Sequence, residues 1–523
     1  MSKSIIIGSR GSELALWQAN FVQTALKKAG LESEIKIIKT QGDVIQHLSF
    51  DKLEGKGFFT KEIEEALLKK EIDLAVHSHK DLPTTSPEGL MIAAVSQRED
   101  PSELLLILKD SVDARNKYSL KRGAVLGTSS ARRKSQFLAF REDVVIKELR
   151  GNVPTRIQKL RDKHYDAILL AAAGVSRLEI DLEEFFVEKL NPKEFVPAPA
   201  QGVLALQIRS EDTKLLEQLQ PLHHADVAEA IAVERKVLNR LDGGCQLPLG
   251  VYCATDEDEE GKALFQSWTS FAKAWDQTPK WIYYEHEDAT VIADRILLKL
   301  NETKISSVFI TRDSGKFDLF SKSLRAQGIT VHSRALIDIR TLKVSSVPRT
   351  DWVFFSSKNA VKHFFNQSPE LGTPKFGCVG KSTAEALRRF GKKPDFIGYS
   401  TDTRMTGKQF AATVGSGTVL FPQARESMRS IQLQFSNKNQ VIDLSVYETV
   451  KHNETLVPEV DALVFTSPSN VEAFFEKNKI GPNQKVVAMG GATGSTLRQF
   501  GTSRYAIPKT FDDIGLAQAV YGL

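Results

Sequence analysis

The stretch from Asp351 to Gly391 recurs from Asp461 to Gly501 at a constant offset of 110 residues. Asp351-Trp-Val-Phe-Phe-Ser-Ser opens one copy and Asp461-Ala-Leu-Val-Phe-Thr-Ser the other. In the same register Val361 matches Val471, Phe364-Phe365 matches Phe474-Phe475, and Lys375 matches Lys485. Gly380 then matches Gly490, Thr383 matches Thr493, Leu387-Arg388 matches Leu497-Arg498, and Phe390-Gly391 matches Phe500-Gly501. Each copy reads as strand, Ser-rich loop, helix, strand, Gly loop, helix. An ungapped repeat of this length restricts the last third of the chain to two similar α/β lobes, an arrangement suited to holding a ligand between them.

The first half alternates in the same way without repeating its sequence. Ile5–Ile7 reads as a strand, Gly8-Ser9-Arg10-Gly11 as a turn, and Ser12 as the N-cap of a helix with Leu14, Trp17, Phe21 and Ala25 on one face. Further units are helix Lys61–Lys70 with strand Asp73–His77, strand Ala124–Leu126 with a helix from Ala131, and strand Val144–Leu149 with a helix holding Pro154 near its start. Such alternation predicts an α/β architecture with parallel sheets. Pro197-Ala198-Pro199-Ala200 breaks the series, Ala225–Leu241 follows as a long helix, and the acidic run Asp256–Gly261 reads as a hairpin tip. A polar gap at Asn301–Ile305 marks the major boundary.

At about 100–200 residues per domain, 523 residues imply three or four domains. A 41% hydrophobic and 26% charged composition excludes a largely disordered chain. A net charge of +5 over this length does not point to nucleic acid. Three separated cysteines without a C-x-x-C pair read as reduced. Ile5–Ile7 is too short for a secretory core, so a cytoplasmic location is expected.

The chemistry concentrates at strand ends, where open α/β sheets bind ligands. Arg10 with Ser12, Thr128-Ser129-Ser130 with Arg132-Arg133, Arg150 with Arg156, and Arg177 all fall there. Helix N-termini attract anions, and guanidinium groups add bidentate donors. Together these loops suit a polycarboxylate; singly, each arginine is equally at home on an exposed turn. In His77-Ser78-His79-Lys80-Asp81 no third ligand stands near the histidines, so a hydrogen-bonding role is expected and no metal. Asp81 either stabilises developing positive charge or simply forms the Asp-Leu-Pro turn. Cys245, in Leu241-Asp-Gly-Gly-Cys-Gln, is either a buried small hydrophobe or a thiol available for attachment, whereas Cys253 fits the buried reading. Gly55-Lys56-Gly57-Phe58-Phe59 reads as a glycine-hinged lid.

Taken in order, these motifs resemble the porphobilinogen deaminase (hydroxymethylbilane synthase) family. The carriers are Gly8-Ser-Arg-Gly-Ser-Glu-Leu-Ala-Leu-Trp-Gln, Gly55-Lys-Gly-Phe-Phe-Thr-Lys-Glu, His77-Ser-His-Lys-Asp-Leu-Pro, Gly127-Thr-Ser-Ser-Ala-Arg-Arg, Leu149-Arg-Gly-Asn-Val-Pro-Thr-Arg, Ala171-Ala-Ala-Gly-Val-Ser-Arg-Leu and Leu241-Asp-Gly-Gly-Cys-Gln. The region from about 305 to 523 resembles uroporphyrinogen-III synthase, through Asp351–Phe365, Val379-Gly-Lys-Ser-Thr-Ala, Val446-Tyr-Glu-Thr and Phe465-Thr-Ser-Pro-Ser. Two departures stand out: Ala200 replaces the family's usual Gly, and Gln207 a common acidic residue.

The resemblance implies two periplasmic-binding-protein-like α/β domains, 1–98 completed by about 198–220 and 99–197, then a small α+β domain at 221–290 and a linker at 291–304. A two-lobed synthase-like module would follow at 305–523, with lobe 1 at about 305–340 plus 452–523 and lobe 2 at about 343–448. It implies joining of four porphobilinogens with loss of ammonia, then closure with D-ring inversion to uroporphyrinogen III. A dipyrromethane cofactor would be bound covalently through Cys245, with Lys80, Ser129, Arg132, Arg133 and Arg156 around it. Asp81 would stabilise the cationic azafulvene. Arg10, Ser12, Arg150, Arg177 and the lid residue Phe59 would meet substrate. In the second module Tyr447 is the candidate acid, though it also reads as a hinge-strand aromatic, and Thr383, Ser467 and Thr493 would take carboxylates. No metal, nucleic acid or membrane is expected, and a monomer is. The competing expectations are a deaminase with an inactive synthase-like module, or a non-enzymatic hinged anion-binding protein.

Overall fold

The computed structural model describes residues 4–40, 60–241, 246–257, 261–302, 304–315, 318–398, 403–437, 440–452 and 456–523. It divides into two compact units. The first is Met1–Val308 with Ser314–Val331 and Pro508–Leu523; the second is Phe309–Asp313 with His332–Ile507.

The first unit contains two five-stranded sheets with one plan. In one, the order is Ser33–Ile37, Ile5–Ser9, Leu74–Ser78, Leu204–Arg209, Leu90–Val95; in the other, Val145–Lys147, Val125–Gly127, Ala167–Ala171, Glu103–Leu108, Phe185–Leu190. The first three strands of each are parallel and the fourth runs antiparallel to its neighbours. The expected all-parallel sheets are therefore mixed, because each sheet takes in a strand that arrives from, or departs to, the other domain. Helix Glu13–Lys28 starts where the Ser12 hydroxyl accepts from the Ala15 amide. Glu13 in its first turn and Lys27 and Lys28 in its last suit the helix dipole. Its Ala19, Val22 and Leu26 pack on Ile5, Ile7, Leu74, Val76, Leu204 and Leu206. Helices Ala131–Phe140 and Val153–Arg161 are capped likewise by Ser130 and Asn152, with Pro154 in the first turn. Strand Val144–Leu149 shortens to Val145–Lys147, because the Leu149 amide and carbonyl both turn to the Ser129 hydroxyl.

Two crossovers join the sheets, after Val95 and before Leu204. They are pinned by Glu234, a fully buried carboxylate. It accepts from Arg98 at 2.7 and 3.3 Å, from the Cys253 amide at 2.7 Å and from the Ala200 amide at 2.6 Å. Gly202 has φ +92°, and a Cβ there would lie 2.3 Å from the Glu99 carbonyl oxygen, so only glycine fits. Glu234 stands on helix Ala225–Arg240, which packs with helix Ala289–Asn301 on the antiparallel meander Leu249–Glu257, Ala263–Phe271, Lys280–His286. Cys253 is 1% exposed in that core, as its apolar flanks suggested, and burial pushes its thiol well up.

The second unit holds a six-stranded sheet ordered Ile337–Thr341, Val441–Lys451, Val419–Ala424, Trp352–Phe355, Lys375–Cys378, Phe396–Ile397, antiparallel only at its first edge. It also holds the parallel pair Ala462–Phe465 and Lys485–Ala488. The repeat is carried element by element. Helices Lys358–Phe365 and Pro468–Phe475 follow Ser357 and Ser467, whose hydroxyls accept from the Ala360 and Asn470 amides. Helices Lys381–Arg389 and Gly491–Gln499 lead to Gly391 and Gly501, at φ +72° and +82°.

Candidate active site

Lys80 and Asp81 form a short turn at the C-terminal end of strand Leu74–Ser78. Asp81 is exposed, while Lys80 is half-buried and donates to the Gln201 side-chain oxygen at 3.2 Å. Gln201 is fixed in turn by its amide nitrogen on the Pro101 carbonyl at 2.8 Å. Burial lowers the Lys80 ammonium, and the Asp81 carboxylate beside it opposes that. Arg156, from the other sheet, is pushed down to about 10 by burial and by the neighbouring Arg133, against the pull of Asp81. Arg150 acts on Arg156, Arg133 and Arg132 act on Lys80, and Asp81 and the buried Glu103 act on both Lys80 and Arg156, so groups from both domains share one electrostatic environment.

The arginine pair is held differently from the open forks that the sequence suggested. Arg132 and Arg133 are both 6% exposed, and Glu103, fully buried at the start of its strand, accepts from them at 2.6 and 2.7 Å. Their other donors go to the Val196 and Leu169 carbonyls at 3.0 Å each. Burial raises the Glu103 carboxyl, but the two guanidiniums outweigh it and hold the group at about 2. Arg133 Nε remains buried without a partner. One pre-set donor and a cationic rim thus survive internal neutralisation. Ser129 is committed to Leu149, donating at 2.8 Å and accepting at 3.1 Å. Arg156 Nε donates to the Gly151 carbonyl at 2.7 Å. Ser12 caps its own helix, and the charge of Arg10 reaches His77. Arg177 is buried, donates to the Gly202 carbonyl at 2.7 Å and lies 5.7 Å from the centre of the Trp17 ring, so it ties the crossover to the first domain. Cys245 and Phe59 lie outside the described residues.

Among the described residues no group of three or more His, Cys, Asp or Glu side chains could hold a metal ion, and no helix is long and apolar enough to cross a membrane. His77 and His79 are buried and held well down, to about 4 and about 3, chiefly by burial. In the second unit Tyr447 is 9% exposed, its hydroxyl 3.3 Å from Ser357 Oγ and its ring 5.5 Å from that of His363. Ser467 is a helix cap, and Thr383 and Thr493 are buried just inside their helices, the latter bonded to the Met489 carbonyl.

Residues 5–217 match the family model "Porphobilinogen deaminase, dipyromethane cofactor binding domain", and residues 228–264 match "Porphobilinogen deaminase, C-terminal domain". Porphobilinogen deaminase of Oceanobacillus iheyensis is 47% identical over 259 residues, which span 49% of this chain and 82% of that protein. That of Bacillus cereus is 46% identical over the same shares. The chain belongs to the porphobilinogen deaminase family. Residues 318–518 match the model "Uroporphyrinogen-III synthase HemD". Among solved structures, uroporphyrinogen-III synthetase of Helicobacter pylori 26695 is 17% identical, with a TM-score of 0.33 over 42% of this chain and 99% of that one. So loose a likeness adds nothing to the family-model match. The deaminase and a synthase module therefore share one polypeptide, a bifunctional enzyme of tetrapyrrole synthesis.

The candidate site also contains residues beyond the sequence motifs. Glu103 was legible as an acid opening the apolar run Leu104–Leu108, where it cannot be solvated and must be paired. Gln201 and Glu234 carry no such signal, because their partners lie on distant segments. A dipyrromethane bears carboxylates, and the orphaned Arg133 Nε with the cationic rim at Lys80 and Arg156 fits such a group.

Proposed function

We propose that Asp81 is the group that makes each condensation possible. The supporting observation is its place: an exposed carboxylate beside Lys80 and within electrostatic reach of Arg156, a cation carried by the other domain. As ammonia leaves porphobilinogen the ring becomes an azafulvene cation, and a fixed carboxylate stabilises charge that exists only along the reaction path. Cys245 holds the dipyrromethane through a thioether, which supplies the fixed end on which the chain of pyrroles grows. Lys80, Arg132, Arg133 and Arg156 receive its carboxylates, and Ser129 fixes the turn at Leu149 beside them. Arg10, Ser12, Arg150 and Arg177 receive those of substrate, and Phe59 meets substrate as well. Each added pyrrole brings two more carboxylates, which accounts for the number of cations.

In the second module, helix starts after Ser357, Gly380, Ser467 and Gly490 offer amide donors for carboxylates, with Ser467, Thr383 and Thr493 beside them. Tyr447 donates a proton to the departing hydroxyl before ring closure. Catalysis there owes much to holding the linear substrate in the shape that closes with inversion. The domain division is 1–98 with 198–220, 99–197 and 305–523, with the third domain running from 221 to about 301 in place of 290 because helix Ala289–Asn301 packs in its core where a linker was expected, in a cytoplasmic monomer.

The test is intact-protein mass after denaturation, together with porphobilinogen turnover. Active enzyme is expected to exceed the bare chain by one dipyrromethane. Cys245→Ser is expected to have the bare mass and no turnover. Asp81→Ala is expected to keep the added mass and lose about 100-fold or more in kcat. Bare mass in active wild-type enzyme removes the tether, and near-normal turnover in Asp81→Ala removes the carboxylate's role.

A further inference from the structure

The synthase match and the compact units divide the chain at different places. Residues 318–518 match the synthase, yet Ser314–Val331 and Pro508–Leu523 pack within the first unit. Two helices are concerned, Leu319–Ala326 and Asp513–Tyr521. They lie against each other and against strand Lys280–His286, and the first also lies against helix Ala131–Phe140. Leu319 and Ile514, 7% and 4% exposed, close a buried cluster with Trp268 and Trp281 of the meander and with Ala139 and Val196 of the second sheet's domain.

Polar contacts follow the same seam. Ser323 Oγ lies 3.3 Å from the Pro279 carbonyl and 2.9 Å from the Tyr521 hydroxyl. Lys322 pairs with Glu142, just past helix Ala131–Phe140. Lys280, 2% exposed, donates to the Lys299, Leu300 and Glu302 carbonyls at 2.6, 3.3 and 3.2 Å, and the Tyr521 ring lies 4.9 Å from its Nζ. An apolar surface containing two tryptophans is thus covered by helices from the synthase sequence.

Helix Ala131–Phe140 begins with Arg132 and Arg133, and its far end is the part that this pair grips. We infer that helices Leu319–Ala326 and Asp513–Tyr521 are a splint that holds the arginine-bearing helix against the meander, so that residues of the synthase sequence position the deaminase's carboxylate-binding arginines. The inference rests on the role proposed above for Arg132 and Arg133; Leu319, Ile514 and Ser323 are positioning residues.

The experiment uses the full-length cofactor-loaded chain. In Leu319→Ala and Ile514→Ala, amide exchange in peptides covering 131–141 and 263–286 is expected to accelerate about fivefold or more, with strand Ile5–Ser9 unchanged. The kcat for porphobilinogen is expected to fall about threefold while the added cofactor mass stays. As a gentler probe, Glu142→Lys and Lys322→Glu are each expected to accelerate exchange at 131–141 about twofold, and the double reversal to restore it. Unchanged exchange at 131–141, equal acceleration in Ile5–Ser9, or local acceleration with unaltered kcat each overturn the splint. Failure of the arginine assignment shows separately, as full cofactor loading and turnover in Arg132→Ala and Arg133→Ala.

Discussion

A single buried carboxylate decides how the arginine pair behaves. Without Glu103, Arg132 and Arg133 would face each other uncompensated in the interior, and Glu103→Gln is expected to cost about 3–5 kcal/mol of stability, read by denaturant titration. The pH dependence follows in sign. Glu103 sits at about 2 when folded, against an ordinary value of 4.5, so its contribution is complete above the ordinary value and is lost as pH falls toward 2. Acid-unfolding curves of the Gln variant are expected to lose that slope. Ala200 presents the opposite case, a residue that its backbone does not suit. It has φ +62°, is fully buried, and has its amide locked on Glu234 at 2.6 Å. A Cβ in the left-handed region is strained, so Ala200→Gly is expected to stabilise by about 0.5–1 kcal/mol, seen as a higher thermal midpoint.

Helices and strands here follow local rules closely. Ser12, Ser130, Asn152, Ser357 and Ser467 each cap the helix that the periodicity placed after them. The repeat makes one such rule testable twice. Gly391 and Gly501 end equivalent helices at positive φ, with open space where a Cβ would go, so the cost of alanine is conformational alone. Gly391→Ala and Gly501→Ala are each expected to cost about 1 kcal/mol, and the double variant about the sum, in urea unfolding of the full chain. The elements that escaped local reading are the antiparallel strands Glu103–Leu108 and Leu204–Arg209, whose partners lie far along the chain. Nothing in their own apolar runs specifies direction.

For the full chain, the two activities separate by product. Tyr447→Phe is expected to leave porphobilinogen consumption unchanged and to shift the oxidised porphyrin from isomer III toward isomer I, measured chromatographically. Tyr447 also packs in the core of its unit, so near-normal thermal unfolding of the variant distinguishes a lost proton donor from a lost contact. The sequence by itself determined the α/β class, the repeat, the helix starts and the loops that carry Lys80, Asp81 and the arginines. These are local matters, set by periodicity, capping and glycine placement within a few residues. Only the tertiary structure decided that Glu103 neutralises Arg132 and Arg133, that Arg177 braces a crossover, that Glu234 ties three segments together, and that two helices of synthase sequence belong to the first unit. Those outcomes join residues from 19 to more than 100 positions apart, and a buried charge selects its partner by what folding brings within reach, which no local pattern encodes.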